Sequence, residues 1–391
     1  MQFQRVLLIV MDGCGAGVAP DAAEYGDHAD APGDTLVHVA SAVGGLSIPN
    51  LRRIGLGNAL RLEGGGPVSR ACGGFGRLRE KSRGGKDTVT GHWEMMGIIA
   101  DRRFPTYPDG FPPEVVEPFE KAIGRKVLGN RAASGTTILK ELGEEHLATG
   151  SPILYTSADS VFQVACNEAI VPVDELYRMC RTARGILTGD HPVQRVIARP
   201  FEGDSADNFR RTERRKDFPL APPENVLDHL AEAGVFVAGI GVIPEVFDER
   251  GFVHKLRTQT NKEHFEATMV LLDKQNRGFF FVNFEDFDML YGHRNDPEGF
   301  ARALEVFDRY LGHIMMKMHP SDLLLVCADH GNDPTTPGTD HTREYSPLLV
   351  YSPAVKGGRD YGDRETFADL GETVLDAFGL EPMGVGCSLL S

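Results

Sequence analysis

The amino-acid sequence predicts an α/β protein, with a central, mostly parallel sheet flanked by helices and a second domain set into it. Three observations predict this. Apolar runs of strand length alternate with amphipathic helical stretches, the pattern of parallel strands joined by crossover helices. The 391 residues exceed what one hydrophobic core usually spans. The middle of the chain, from about Asp101 to Phe218, changes character and becomes rich in proline, glycine and charge.

The elements follow in order. "RVLLIVMDG" opens the chain as a buried strand; it is short, meets Asp12 at once and lacks a small-residue cleavage site, so it does not read as a signal peptide. "PENVLDHLAEAG" is a helix that starts near Pro223 and stops at Gly234, and "VFVAGIG" is the strand after it. "TNKEHFEATMVLLDKQ" is helical, "GFFFVNF" a strand, "DPEGFARALEVFDRYLGHIMMKM" a long helix and "DLLLVCA" the next strand. "SPLLVYSP" and "RETFADLGETVLDAFGL" supply the last strand and helix. Within the middle region, "PPEVVEPFEKAIG", "SGTTILKELG" and "VDELYRMCRTARGIL" read as helices, and "PILYTSA", "SVFQVAC" and "QRVIARPF" as short strands. The expected organisation is a discontinuous core, 1–100 and 219–391, with an inserted α+β domain at 101–218. "ADRRFPTYP" leads in and "RKDFPLAPP" leads out.

Composition narrows the partners. The formal net charge is −15, which disfavours nucleic acid and repels a phosphate ester unless local positive charge overrides it. No apolar run approaches the roughly 20 residues that cross a bilayer. Six scattered cysteines without a CxxC pair suggest neither a zinc knuckle nor a disulfide framework, and fit a reducing cytoplasm.

In open α/β sheets ligands bind beyond the carboxyl ends of the strands. Three strands here end in metal-ligand types: Asp12 after the first, Asp286, Asp288 and His293 after "FVNF", and Asp329 and His330 after "LLLVCA", with His341 following. One such aspartate means little, because Asp also caps helices and turns. Three clusters are harder to dismiss. Carboxylate and imidazole without thiolate suit Mn²⁺ or Zn²⁺ better than Ca²⁺. The ligands are too many for one tetrahedral ion and about right for two, a device that clamps both oxygens of a phosphoryl transfer. Three aspartates do not neutralise two divalent cations, so such a site stays positive inside an acidic protein. Upstream, "SRGGKDTVTGHWEMMG" places Thr88 where a helix begins, and the amides and dipole there favour an anion. A metal pair would activate its hydroxyl as a nucleophile. The competing explanation is that Asp87, Thr88 or Thr90 caps the helix. Trp93 reads as core.

At these residues the chain resembles the phosphopentomutases of the alkaline phosphatase superfamily. The resemblance runs through "MDGCGAG", "GKDTVTGHWEMMG", "YTSADSVFQVA", "RVIARPF", "DFDMLYGHRNDPEGFARALE" and "CADHGNDPTTPGTDHTREYSPLL". It implies an alkaline phosphatase-like core, an inserted cap domain and two Mn²⁺ ions. One ion would take Asp12, Asp329 and His330, and the other Asp288, His293 and His341. Thr88 would bridge them and carry the phosphoryl group. Asp286 falls off the pattern and is expected to support the site or serve the fold.

The implied reaction interconverts ribose 1-phosphate and ribose 5-phosphate, or their 2-deoxy forms, through a 1,5-bisphosphate. A sugar bisphosphate, glucose 1,6- or ribose 1,5-bisphosphate, would prime the enzyme. Asp159 is expected at the sugar hydroxyls, and Arg195 and Arg210 at the distal phosphate, although "RRTERRKD" also reads as a solvated charged face. The family's "GK" step is Gly241–Val242 here, so an expected ammonium is missing. Rival readings are a two-metal phosphatase or phosphodiesterase, in which water takes the phosphoryl group, and an inactive regulator, which would have lost ligands.

Overall fold

The computed structural model describes residues 3–27, 30–157 and 160–391. The chain divides into two compact units, Met1–Arg102 with Pro222–Ser391, and Arg103–Ala221.

The first unit opens with β1 (Arg5–Met11) and β2 (Gly74–Leu78). The second unit then contributes β3 (Leu128–Ala132), β4 (Ile153–Thr156), β5 (Val161–Asn167), β6 (Arg195–Glu202), β7 (Arg210–Arg211) and β8 (Lys216–Pro219). The first unit resumes with β9 (Val237–Ile240), β10 (His254–Leu256), β11 (Gly278–Phe284), β12 (Asp322–Cys327), β13 (Ser346–Tyr351) and β14 (Asp360–Arg364).

In the first unit the order is β10-β9-β11-β1-β12-β13-β2-β14. The five strands from β10 to β12 are parallel, β13 runs against both its neighbours, and β14 is parallel to β2. β1, β11 and β12 are buried along their whole lengths, which is why each reads as a continuous apolar run rather than an alternating one. Leu7, Ile9, Phe280, Val282, Leu324 and Val326 turn to one face, under the helices Thr35–Ala42, Pro49–Ile54, Asn261–Lys274 and Pro297–Lys317. Phe281 turns to the other, where His92 of the helix Thr88–Met95 meets it with ring centroids 5.7 Å apart. A buried ion pair, Arg5 with Asp322 at 2.5 Å, ties the amino ends of β1 and β12.

In the second unit the order is β3-β4-β5-β6-β7, with β8 also paired to β6. Alternation sorts its side chains. Phe162, Val164, Val196 and Ala198 pack under the helices Pro113–Ile123 and Val173–Ile186. Tyr155, Ala165 and Phe201 pack under the helix Gly135–Thr149. The stretch expected to lead out as a linker instead contains β8, which pairs antiparallel with β6 from Lys216 to Pro219. Phe218 packs against the core there, so the apparent proline-rich linker is held by strand pairing.

Candidate metal centre

β11, β1 and β12 are adjacent and parallel, so the loops after them converge. Two groups of donor atoms result, each lying within 4.8 Å: Asp12, Asp329 and His330, and Asp288, His293 and His341. In the second group, His293 Nε2 is 3.1 Å from Asp288 Oδ2 and 3.1 Å from His341 Nε2, and His341 Nε2 is 3.3 Å from Asp288 Oδ1. In the first, His330 Nε2 is 3.4 Å from Asp12 Oδ1 and 3.3 Å from Asp329 Oδ2. Donors about 2.0–2.2 Å from one ion are separated by about this much.

Each of these side chains is also held on its far side by a hydrogen bond. Each imidazole Nδ1 lies against a backbone carbonyl: His293 against Thr339 at 2.6 Å, His341 against Lys86 at 2.8 Å, His330 against Gly331 at 3.2 Å. Donation there leaves the Nε2 lone pairs facing the centre. Asp12 Oδ2 accepts from Asn283 Nδ2 at 2.6 Å, Asp288 Oδ1 from Asn332 Nδ2 at 2.7 Å, and Asp329 Oδ1 from the Gly13 amide at 3.2 Å. Asp12 Oδ1 and Asp329 Oδ2 are buried with no hydrogen-bond partner among the described residues. Orphaned carboxylate oxygens at this depth cost too much to keep unless something cationic meets them.

Burial and mutual repulsion perturb these groups. Burial, then Asp329 and Asp288, push Asp12 well above the carboxylate range. Burial and Asp288 push Asp329 up to about 8. Burial would raise Asp288 too, but hydrogen bonds to His293 and His341 draw it well below its ordinary value. Burial opposes charge on His341, yet Asp288 holds it up to about 9. A divalent cation relieves the mutual repulsion of these carboxylates.

Asp87 occupies the N-cap of the Thr88–Met95 helix, its carboxylate accepting from the Val89 and Thr90 amides at 3.0 and 3.2 Å. Thr88 is therefore released from capping, and its Oγ1 sits 3.3 Å from His330 Nε2. The His330 ring stacks on that of His341, centroids 3.8 Å apart. Glu94 anchors this helix from within: its buried carboxylate accepts from the Lys81, Ser82 and Phe367 amides and from Thr366 Oγ1. Asp286 points elsewhere, exchanging hydrogen bonds with the Asn261 backbone and side chain at 3.1 Å, and serves the fold.

Within the second unit, a cavity of about 330 Å³ is lined by Ser134, Gly135, Tyr155, Gln163, Arg195, Arg199, Arg211 and Arg215. Burial and the neighbouring Arg215 and Arg211 lower the Arg199 pKa. The cavity opens at the N-terminus of the Gly135–Thr149 helix, so both backbone and side chains favour an anion. Arg195 lines it. Arg210 does not: its side chain is 77% exposed and paired with Glu202. The reason is register. Arg211 opposes Phe201 and Arg210 opposes Glu202, so adjacent side chains leave the sheet on opposite faces, and Arg211 takes the cavity side. Asp159 lies outside the described residues. At the missing lysine, the Val242 amide donates to Glu285 Oε1 at 2.6 Å, and burial with Asp286 and Glu245 pushes Glu285 up to about 7.

Paired donor sets at the carboxyl edge of an alkaline phosphatase-type sheet define a metalloenzyme, and residues 4–382 match the family described as the Metalloenzyme superfamily. Curated relatives are more specific. The phosphopentomutase of Caldanaerobacter subterraneus subsp. tengcongensis is 53% identical over 388 residues, covering 99% of this chain and 97% of the relative. That of Dictyoglomus thermophilum is 53% identical over 389 residues, 99% and 98%, and that of Carboxydothermus hydrogenoformans 52% identical over 386 residues, 98% of each. The chain belongs to the phosphopentomutase family and is an isomerase of the metal-dependent kind. No helix among the described residues is long and apolar enough to cross a membrane.

Proposed function

We propose that the chain interconverts ribose 1-phosphate and ribose 5-phosphate, or the 2-deoxy sugars, with Thr88 as the phosphoryl carrier. One observation carries the reading: a threonine hydroxyl at a helix N-terminus, freed from capping, 3.3 Å from an imidazole of one donor group whose ring stacks on the other group. Asp12, Asp329 and His330 would hold one Mn²⁺, and Asp288, His293 and His341 the other. Bound there, the ions would supply charge neutralisation for the transferring phosphoryl group and acidify the Thr88 hydroxyl.

In the first half-reaction the C5 hydroxyl oxygen of ribose 1-phosphate attacks phosphorus on phosphothreonine 88. The P–Oγ1 bond breaks, the hydroxyl proton ends on Oγ1, and ribose 1,5-bisphosphate forms. After the bisphosphate reorients, Oγ1 attacks the C1 phosphate, the bond from phosphorus to the C1 oxygen breaks, and that oxygen takes the proton. Arg195, Arg199 and Arg211 would take the phosphate that is not reacting, for which forked guanidinium donors are suited. The bisphosphate explains the need for a priming sugar bisphosphate, glucose 1,6- or ribose 1,5-bisphosphate. Water must be excluded or the phosphoenzyme hydrolyses. Six unpaired cysteines suit a cytoplasmic setting.

Thr88→Ala tests the carrier. The variant is expected to fold, bind Mn²⁺ and show no turnover, and its digest to lack the phosphothreonine peptide obtained from wild type primed with glucose 1,6-bisphosphate. Turnover above a thousandth of wild type would remove Thr88 from the role.

A further inference from the structure

Two buried polar side chains beside the metal centre have no part in the reaction as derived, and both sit between its pieces. Asn283, on β11 opposite Val10 of β1, is fully buried and spends its amide on Asp12 Oδ2 at 2.6 Å. His92, one turn into the Thr88 helix, is fully buried and places Nδ1 2.7 Å from the Thr88 carbonyl and 3.4 Å from Asp329 Oδ2. His92 Nε2 and Asn283 Oδ1 are both buried without a partner in good hydrogen-bonding geometry. Polar groups placed this deep persist only where they fix something.

We infer that Asn283 and His92 are positioning residues, Asn283 holding the metal ligand Asp12 and His92 holding the first turn of the Thr88 helix. Asn283 orients Asp12 so that Oδ1 remains directed at the centre. His92 fixes the carbonyl of the residue that carries the hydroxyl. The distance from Thr88 Oγ1 to the donor atoms is then set by two fully buried side chains, one on Asp12 and one on the Thr88 carbonyl. A slack helix would cost rate rather than affinity, because a reacting atom displaced by an ångström loses its in-line approach.

The inference rests on the assignment of Asp12 as a ligand and Thr88 as the carrier, and its test separates the two. Mn²⁺ binding is measured on purified protein by electron paramagnetic resonance titration without substrate, and kcat and KM are measured with ribose 1-phosphate. Asn283→Leu, close in volume, should weaken one of the Mn²⁺ binding events about 10- to 100-fold, the range for losing a group that orients a ligand. Should it fail to fold, Asn283→Ser, whose hydroxyl falls short of Asp12, gives the same readout. His92→Leu should lower kcat at least tenfold with KM within twofold, and His92→Asn, which restores a donor near the Nδ1 position, should recover most of it. Variants with lowered melting temperature but wild-type Mn²⁺ affinity and kcat would reduce both residues to packing and overturn the inference while leaving the reaction intact. A wild-type protein that binds no Mn²⁺ would overturn both together.

Discussion

Replacing each of two adjacent arginines should give opposite results. Arg210 and Arg211 are chemically identical, yet pairing of β7 with β6 sends one to solvent and the other to the arginine cavity. Arg210 loses little when truncated: its partner Glu202 is half exposed and the pair is a surface ion pair, a class that contributes about 0–1 kcal/mol. Arg210→Ala should therefore leave kcat and KM for ribose 1-phosphate within twofold of wild type. Arg211 lies beside Tyr155 and Gly135 where the distal phosphate is proposed to bind. A charged hydrogen bond to that phosphate is worth about 1.5–3 kcal/mol, which converts to a KM raised about 10- to 150-fold in Arg211→Ala. Arg211→Lys should recover only part, since a single ammonium cannot reproduce the fork. The assay is steady-state conversion of ribose 1-phosphate with excess Mn²⁺ and saturating primer. A KM effect from Arg210→Ala equal to that of Arg211→Ala, or none from Arg211→Ala, would refute the register argument.

Metal removal and acid give two further checks. Dialysis against a chelator should abolish turnover while the far-ultraviolet circular dichroism stays native, and Mn²⁺ should restore activity better than Mg²⁺ or Ca²⁺; full activity in metal-free protein would defeat the two-ion assignment. His264 should also withdraw stability as the solution is acidified. Burial lowers the His264 pKa from 6.5 to about 4. The unfolded chain thus binds the proton first, and the stabilisation present above pH 6.5 is lost as pH falls towards 4, by up to about 3 kcal/mol. Urea midpoints measured across that interval should fall less on acidification in His264→Gln than in wild type; an identical pH dependence in the two would exclude the His264 contribution.

Much of this was legible in the residues because burial on both faces leaves a plain signature. β1, β11 and β12 are nearly uninterrupted apolar runs, and the polar residues that end them begin the loops proposed to bear the ligands. What was not legible depended on partners distant in sequence. β2 reads "GFGRL" and β14 "DYGDR", too short and too polar to announce strands, and they form because each borders the other beside β13. Asn283 hides within "GFFFVNF", and only the neighbouring strand reveals that its amide reaches Asp12. Spacing alone could not choose between Arg210 and Arg211, since a two-residue strand has no alternation to read until its partner fixes the register. The step at Val242 is read from sequence as a lost cation, but the carboxylate of Glu285 against its amide appears only in three dimensions.

The most direct test of phosphoryl transfer through Thr88 is a ³¹P nuclear magnetic resonance time course. Protein loaded with Mn²⁺ is given ribose 1-phosphate and a trace of glucose 1,6-bisphosphate. The account predicts that the ribose 5-phosphate signal grows as the substrate signal falls, with little inorganic phosphate. Inorganic phosphate as the main product would contradict it and identify a hydrolase working from the same residues.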